Sequence, residues 1–278
     1  RGLVQANRIT NLDSLPFPAR HLFDCFSDSL FPGEKYGRGP KATTIIWSRG
    51  CPNHCAYCAN IHHALVTYRS PQNIAAELEM LRDSYGCSAF RVEDDNIGYK
   101  RAWLGQVLET IPRGIRLKGH TRADLVDDEL CAMLVRAGFE EIGLGIEACD
   151  NHVLKLVGKG ITEEDCYRAV NTLKRHHLRA KVYFMAGLPG ETKETIQKNM
   201  EFMRKARPDR WTLSITVPYP GSELAENPGK FGVRILAHDP SACWNFAGSV
   251  FELDTATNAE IMERHDRFRA FLEKGEWY

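Results

Sequence analysis

Ser48-Arg49-Gly50-Cys51-Pro52-Asn53-His54-Cys55-Ala56-Tyr57-Cys58 carries three cysteines, separated by three residues and then by two. Three thiolates on one short loop suit three irons of a four-iron, four-sulfur cluster, and that count leaves the fourth iron without a protein ligand. An iron left open in this way is a place for chemistry. Zinc is the alternative, because Cys55 and Cys58 form a Cys-x-x-Cys pair and His54, His62 and His63 lie near enough to complete a tetrahedron. Zinc modules of that kind bring a second pair of ligands downstream, and no other close-spaced cysteine pair occurs in the sequence.

Around the loop, short apolar or β-branched runs alternate with longer amphipathic ones. Residues 43–47 read as a strand, followed by the loop and by a helix whose buried face is marked by Ile74, Leu78 and Leu81. Further pairs follow: strand 89–93 with helix 103–111, strand 115–118 with helix 128–137, and strand 141–146 with a helical region through Tyr167, Val170 and Leu173. Strand 180–186 with helix 194–206 and a sixth strand at 211–217 complete the series, with Gly138 as a helix stop.

Consecutive βα units require parallel strands joined by right-handed crossovers. The pattern therefore predicts an α/β fold, a partial (β/α)6 TIM-like barrel with its site at the C-terminal ends of the strands. An extended segment is expected over 1–41, where Pro16, Pro18, Pro32 and Pro40 interrupt any periodicity. The barrel is expected over 42–220, and a C-terminal tail packing on it over 221–278, with a helix at 258–274.

Lys plus Arg equals Asp plus Glu, at 36 each, so no global charge favours nucleic acid or an anionic membrane as partner. The most basic run, Lys174-Arg175-His176-His177, reads as a helix C-terminus, where cations oppose the dipole. Hydrophobic content of 43% is enough for a sizeable core. No apolar run reaches the ~18 to 20 residues that span a bilayer, and there is no signal peptide. Nine cysteines without a disulfide-like framework fit a reducing compartment, and a cytoplasmic protein is expected. Cys25, Cys87, Cys131, Cys149, Cys166 and Cys243 stand singly and read as small buried hydrophobes rather than a second cluster site. Because the first residue is Arg1, the chain is expected to derive from something longer.

Polar groups gather at the expected strand ends: Glu93-Asp94-Asp95-Asn96, His120-Thr121-Arg122-Ala123-Asp124, Gly145-Ile146-Glu147 and Met185-Ala186-Gly187-Leu188-Pro189-Gly190-Glu191. Each has a simpler reading, since loop carboxylates often cap the next helix. Four at one barrel face point to a site.

The cysteine loop, with aromatic Tyr57 just before the third cysteine, resembles the signature of the radical S-adenosylmethionine (SAM) superfamily. The run Asn11-Leu12-Asp13-Ser14-Leu15-Pro16-Phe17-Pro18-Ala19-Arg20 is similar to the segment that enters the radical domain of its cobalamin-binding (B12-type) members. Gly145-Ile146-Glu147, Gly187-Leu188-Pro189-Gly190-Glu191-Thr192 and Pro218-Tyr219-Pro220-Gly221 resemble their fourth, fifth and sixth strand-end motifs.

The resemblance implies a 4Fe-4S cluster on Cys51, Cys55 and Cys58, with SAM chelating the open iron through its amino and carboxylate groups. It implies an electron donor such as flavodoxin or ferredoxin, and a 5′-deoxyadenosyl radical that abstracts hydrogen from a small-molecule or peptide substrate. SAM's needs match the residues. Asp94 or Asp95 can accept from its amino group, Arg122 can hold its carboxylate as a fork, Glu147 can take the ribose hydroxyls, and Gly187 permits close approach of the adenine. Tyr57 joins them as a cofactor-binding residue by its place in the signature. Further pocket residues are expected from the segment before Cys51, the sixth strand end and Trp244-Asn245-Phe246.

One departure stands out: the Asp-x-His-x-x-Gly loop of the family's cobalamin domain is absent from these residues. The chain alone is therefore not expected to hold cobalamin, and hydrogen abstraction is the leading reaction. A cobalamin-dependent methyltransferase or cyclase is the alternative, with a zinc-binding module or a non-catalytic scaffold as readings outside enzymology.

Overall fold

Residues 9–22, 41–59, 65–236 and 249–277 are described by a computed structural model. His62, His63, Trp244, Asn245, Phe246, Cys25, Cys243, Pro32 and Pro40 lie outside the described residues. The strands are β1 (Lys41–Ile45), the two-residue partners β2 (Ser48–Arg49) and β3 (Thr67–Tyr68), β4 (Cys87–Val92), β5 (Arg116–Arg122), β6 (Phe139–Glu147), β7 (Arg179–Ala186), β8 (Arg210–Ile215), β9 (Val233–Ile235) and β10 (Phe251–Leu253). The α-helices are α1 (Pro71–Tyr85), α2 (Arg101–Thr110), α3 (Asp128–Arg136), α4 (Asn151–Leu156), α5 (Glu163–Arg175), α6 (Lys193–Ala206), α7 (Glu223–Glu226) and α8 (Asn258–Lys274).

Six strands form one parallel sheet in the order β1-β4-β5-β6-β7-β8, curled into the half-barrel that the sequence predicts. Each strand is two-faced. Along β7, Ala180, Val182, Phe184 and Ala186 are buried, whereas Lys181, Tyr183 and Met185 between them are only partly covered. The buried face meets the helices. There Phe184 packs edge-on against Phe202 of α6 at 5.9 Å and Phe268 of α8 at 5.1 Å between ring centres.

Local chemistry sets the helix ends. Ser70 accepts from the Asn73 amide ahead of Pro71 to start α1, and Gly86, in the left-handed region at φ +68°, closes it. Thr162 with Asp165 and Thr257 with Glu260 form capping boxes on α5 and α8. Lys174 and Arg175 fall in the last turn of α5, as the basic run predicts.

Two differences from the sequence reading have physical causes. β5 runs four residues beyond the expected 118, to Arg122, because Gly119-His120-Thr121-Arg122 gives no apolar signal. The β2/β3 and β9/β10 pairs are only two or three residues long, too short for any periodicity to mark. At the N-terminal side, Arg20 donates to Thr43 Oγ1 at 2.8 Å and Thr44 O at 2.7 Å, and shares the buried Glu77 carboxylate with Arg69.

The loop after β7 is locked to α8 through Glu191, which is fully buried. Its carboxylate accepts from the Gly187 amide at 2.9 Å, while Arg264 and Thr255 both donate to its backbone carbonyl at 2.8 Å. Burial pushes the Glu191 carboxyl up to about 7, against the lowering effect of the Gly187 amide and Arg264. With its folded pKa above the unfolded value, the acid binds its proton more tightly in the folded state. That stabilisation is complete below about pH 4.5 and is lost as pH rises toward 7. The melting temperature of the wild type should therefore fall relative to Glu191→Gln between pH 5 and 7, by an amount equivalent to a few kcal/mol at most. Parallel curves for the two proteins would refute this account.

Candidate functional site

The cysteine loop lies across the C-terminal ends of the strands, and its backbone is tied down on three sides. Gly50 donates to Asp95 at 3.0 Å, Ala56 donates to the Val157 carbonyl at 2.9 Å, and the Ala56 carbonyl accepts from Leu224 at 2.8 Å. One step earlier, Asp94 accepts from the Trp47 amide at 2.7 Å and the Ser48 hydroxyl at 2.5 Å. Asp94 is 3% exposed, and burial raises its carboxyl to about 7 despite those two donors.

A cleft of about 230 Å³ opens between the loop and the strand ends. Cys51, Cys55, Cys58 and Tyr57 form its loop side. Asp95, Asn96, Arg122, Gly145 and Glu147 come from the ends of β4, β5 and β6, and Lys159 comes from the turn after α4. His120 and Tyr183 make the floor. Asn53 and Asn96 both donate to Cys51 Sγ, at 3.3 and 3.2 Å.

Glu147 sits where the register of β6 against β7 slips, with φ at +63°. Its carboxylate accepts from Lys159 at 2.8 Å, and both side chains are about nine-tenths buried, at 11% and 8% exposure. Gly145 makes room for this pair: a Cβ there would fall 2.7 Å from Glu147 Oε1 and 2.9 Å from Lys159 Nζ. The Lys159 ammonium lies 5.8 Å from the centre of the Tyr57 ring. Arg122 is held rigid, donating to Asp124 at 2.9 Å and to the Lys159 carbonyl at 2.6 Å. Burial, then the charges of Glu147 and Cys55, hold the Tyr57 phenol well above its usual pKa, so it stays protonated.

Of the residues singled out from sequence, Cys51, Cys55, Cys58, Tyr57, Asp95, Arg122 and Glu147 are brought together on this cleft. Asp94 and Gly187 are not among its lining residues. Asp94 turns its carboxylate to the end of β1 and the start of the loop. Gly187, at φ +77°, makes a close approach of another kind, since a Cβ there would fall 2.9 Å from Ile261 of α8 and 3.1 Å from Phe251 of β10. Gly187 thus makes room for the C-terminal segment, whereas Gly190 of the same strand end lies against Leu156 and His152 of α4.

Lys159 and Tyr183 went unread in the sequence. A lysine between two glycines, both at positive φ, was the available sign of the first. The inward parity of β7 was the sign of the second.

Comparison with known proteins shows the family. The family model described as the radical SAM superfamily matches residues 45–203. The chain belongs to that superfamily, an enzyme family whose cofactors are a 4Fe-4S cluster and SAM. It is 29% identical over 225 residues to an uncharacterised methyltransferase of Pyrococcus horikoshii, covering 78% of this chain and 47% of the relative. It is 26% identical to the anaerobic magnesium-protoporphyrin IX monomethyl ester cyclase of Rubrivivax gelatinosus, covering 82% and 42%. The chain thus spans about half the length of the curated relatives it matches.

Among solved structures, the radical SAM methyltransferase TsrM of Kitasatospora setae, with cobalamin and a [4Fe-4S] cluster bound, superposes with a TM-score of 0.61 at 20% identity, over 76% of this chain and 45% of that one. At that identity the likeness is one of fold. No helix among the described residues is long and apolar enough to cross a membrane.

The Lys159–Glu147 pair gives a test of the site's own energetics. Lys159→Met strands a buried carboxylate and should cost about 3 to 5 kcal/mol in urea unfolding. Adding Glu147→Gln should restore much of the loss. A double variant no more stable than the single one would show that the pair is not what holds this corner.

Proposed function

We propose that Cys51, Cys55 and Cys58 hold the 4Fe-4S cluster and that the cleft beside them binds SAM for reductive cleavage, followed by hydrogen abstraction from a substrate. The observation that carries this reading is the convergence of three thiols with Asp95, Arg122, Glu147 and Lys159 on one cleft. The residues fit the group. Among the described residues no three His, Cys, Asp or Glu side chains gather as ligands of one ion. A cluster asks something different, since it spreads its thiolates over separate irons.

When bound, the cluster supplies the electron that cleaves SAM to methionine and a 5′-deoxyadenosyl radical. The chain's part is binding and orientation. Asp95, fixed by the Gly50 amide, accepts hydrogens from the amino group of SAM. Arg122 and Lys159 supply positive charge for its carboxylate, Arg122 being held in place by Asp124. Glu147, turned into the cleft by its positive φ, takes the ribose hydroxyls. Tyr57, neutral and packed under Lys159, walls the loop side. The electron comes from an external donor such as flavodoxin or ferredoxin.

A second reading, cobalamin-dependent methyl transfer or ring formation, is favoured by the methyltransferase and cyclase names of the relatives. Binding of hydroxocobalamin by the chain at micromolar concentration or tighter would make it the leading one.

The triple variant Cys51→Ala/Cys55→Ala/Cys58→Ala should lose its iron and visible absorbance after anaerobic reconstitution, whereas the wild type should form 5′-deoxyadenosine from SAM under reducing conditions. A full iron complement in the triple variant would sink the ligand assignment. The two amides on Cys51 Sγ make a finer prediction, because hydrogen bonds to cluster sulfurs stabilise the reduced state. Asn53→Leu or Asn96→Leu should lower the reduced-to-oxidised ratio about two- to tenfold at a fixed potential, as expected for a bond of about 0.5 to 1.5 kcal/mol. A potentiometric titration followed by electron paramagnetic resonance reads this directly.

A further inference from the structure

On the loop side of the cleft, one polar atom is buried without a partner. The ring of Tyr57 is wedged between two apolar groups, one containing Ala56, Leu224 and Phe251 and the other Val153, Val157 and Leu188. The backbone on either side is fixed as well. Ala56 is bonded to Val157 and Leu224, and the Cys58 amide donates to the Cys55 carbonyl at 2.9 Å. Part of the ring stays open to the cleft, but the hydroxyl is shielded from solvent and has no hydrogen-bond partner among the described residues.

Buried hydroxyls are nearly always hydrogen-bonded, and one left unpaired is destabilising. Two acceptors are near. The Glu147 carboxylate acts on the phenol through its charge, but it is bonded to Lys159 and does not accept from the hydroxyl. The other is Cys55, whose sulfur lies beside the hydroxyl. A thiol is a weak acceptor, whereas an iron-bound thiolate carries negative charge and accepts strongly. Burial keeps the phenol protonated, so it remains a donor.

We propose that the Tyr57 hydroxyl donates a hydrogen bond to the sulfur of Cys55 when the cluster is bound, and so tunes its reduction potential. The inference rests on the proposed function, which puts the cluster on this loop. Donors aimed at cluster sulfurs favour the reduced state, because they stabilise the negative charge that the added electron brings. Asn53 and Asn96 already donate to Cys51 Sγ. Tyr57 extends the same control to a second cysteine. A phenylalanine would supply the same ring to the cleft wall, so the hydroxyl is the part of the side chain that this role explains.

The test compares wild type with Tyr57→Phe after anaerobic reconstitution without SAM, by potentiometric titration followed by electron paramagnetic resonance. Tyr57→Phe should take up the same iron, and its reduced-to-oxidised ratio at a fixed potential should fall about two- to tenfold. After exchange into heavy water, the reduced wild type should show by electron nuclear double resonance a deuteron coupling that Tyr57→Phe lacks. An unchanged ratio in the fully loaded variant overturns the proposal, even if SAM affinity changes, since that would assign the hydroxyl to SAM. A fall with every coupling retained also overturns it, because the effect would then trace to packing. Should Tyr57→Phe fail to load, fluorotyrosine at position 57 keeps the ring and makes a stronger donor. The ratio should then rise, and the absence of a rise overturns the proposal. A wild type that forms no four-iron cluster removes the proposed function and this inference with it, whereas a normal wild-type signal beside an unchanged variant removes this inference alone.

Discussion

A buried carboxylate at the end of β4 holds the cysteine loop to the barrel. Asp94 reaches back to accept from Trp47 and Ser48, so the chain leaving β1 cannot drift from the strand beside it. Its neighbour Asp95 takes the Gly50 amide, and the two acids together fix both the entry to the loop and its first cysteine. The other side of the loop is set by Val157 and Leu224, which arrive from distant parts of the chain. A three-cysteine loop is flexible by itself, and its use depends on these anchors.

The second constraint is the reversal of polarity across the sheet. In parallel sheets covered on both faces the strands read as continuous apolar runs. Here only the outward face is apolar, and the inward face carries Arg91, Lys118, His120, Glu141, Lys181 and Tyr183. An open half-barrel can keep such groups partly hydrated, whereas a closed one would have to bury them. Glycines at 143 and 145 on β6 complete the arrangement, because each yields its side-chain space to a neighbour that belongs to the cleft or its floor.

The C-terminal segment is integral to this geometry. Phe251 and Ile261 fill the space that Gly187 leaves open, Arg264 and Thr255 meet on the Glu191 carbonyl, and Phe268 enters the main core beside Phe184. Gly187, where the adenine of SAM is expected to approach, leaves room for Phe251 of β10 and Ile261 of α8, while Leu188 and Gly190 of the same motif lie against Val153, Leu156 and His152 of α4.

Much of this was legible in the residues. Six strands, the helices between them and the terminal helix follow from apolar periodicity, because burial on one face is a local, repeating demand on sequence. The chemistry proposed for the cysteine loop rests on spacing, which is equally local. The tertiary structure decided which strand-end groups share the cleft. Asp94 and Asp95 are adjacent and chemically identical, yet one is consumed by the backbone and the other lines the site, a choice made by residues more than 40 positions away. Lys159 reaches Glu147 across a separation of 12 residues, and His120 and Tyr183 meet over Gly143 only because β5, β6 and β7 are set in register. Such juxtapositions depend on long-range packing and leave no period in the sequence.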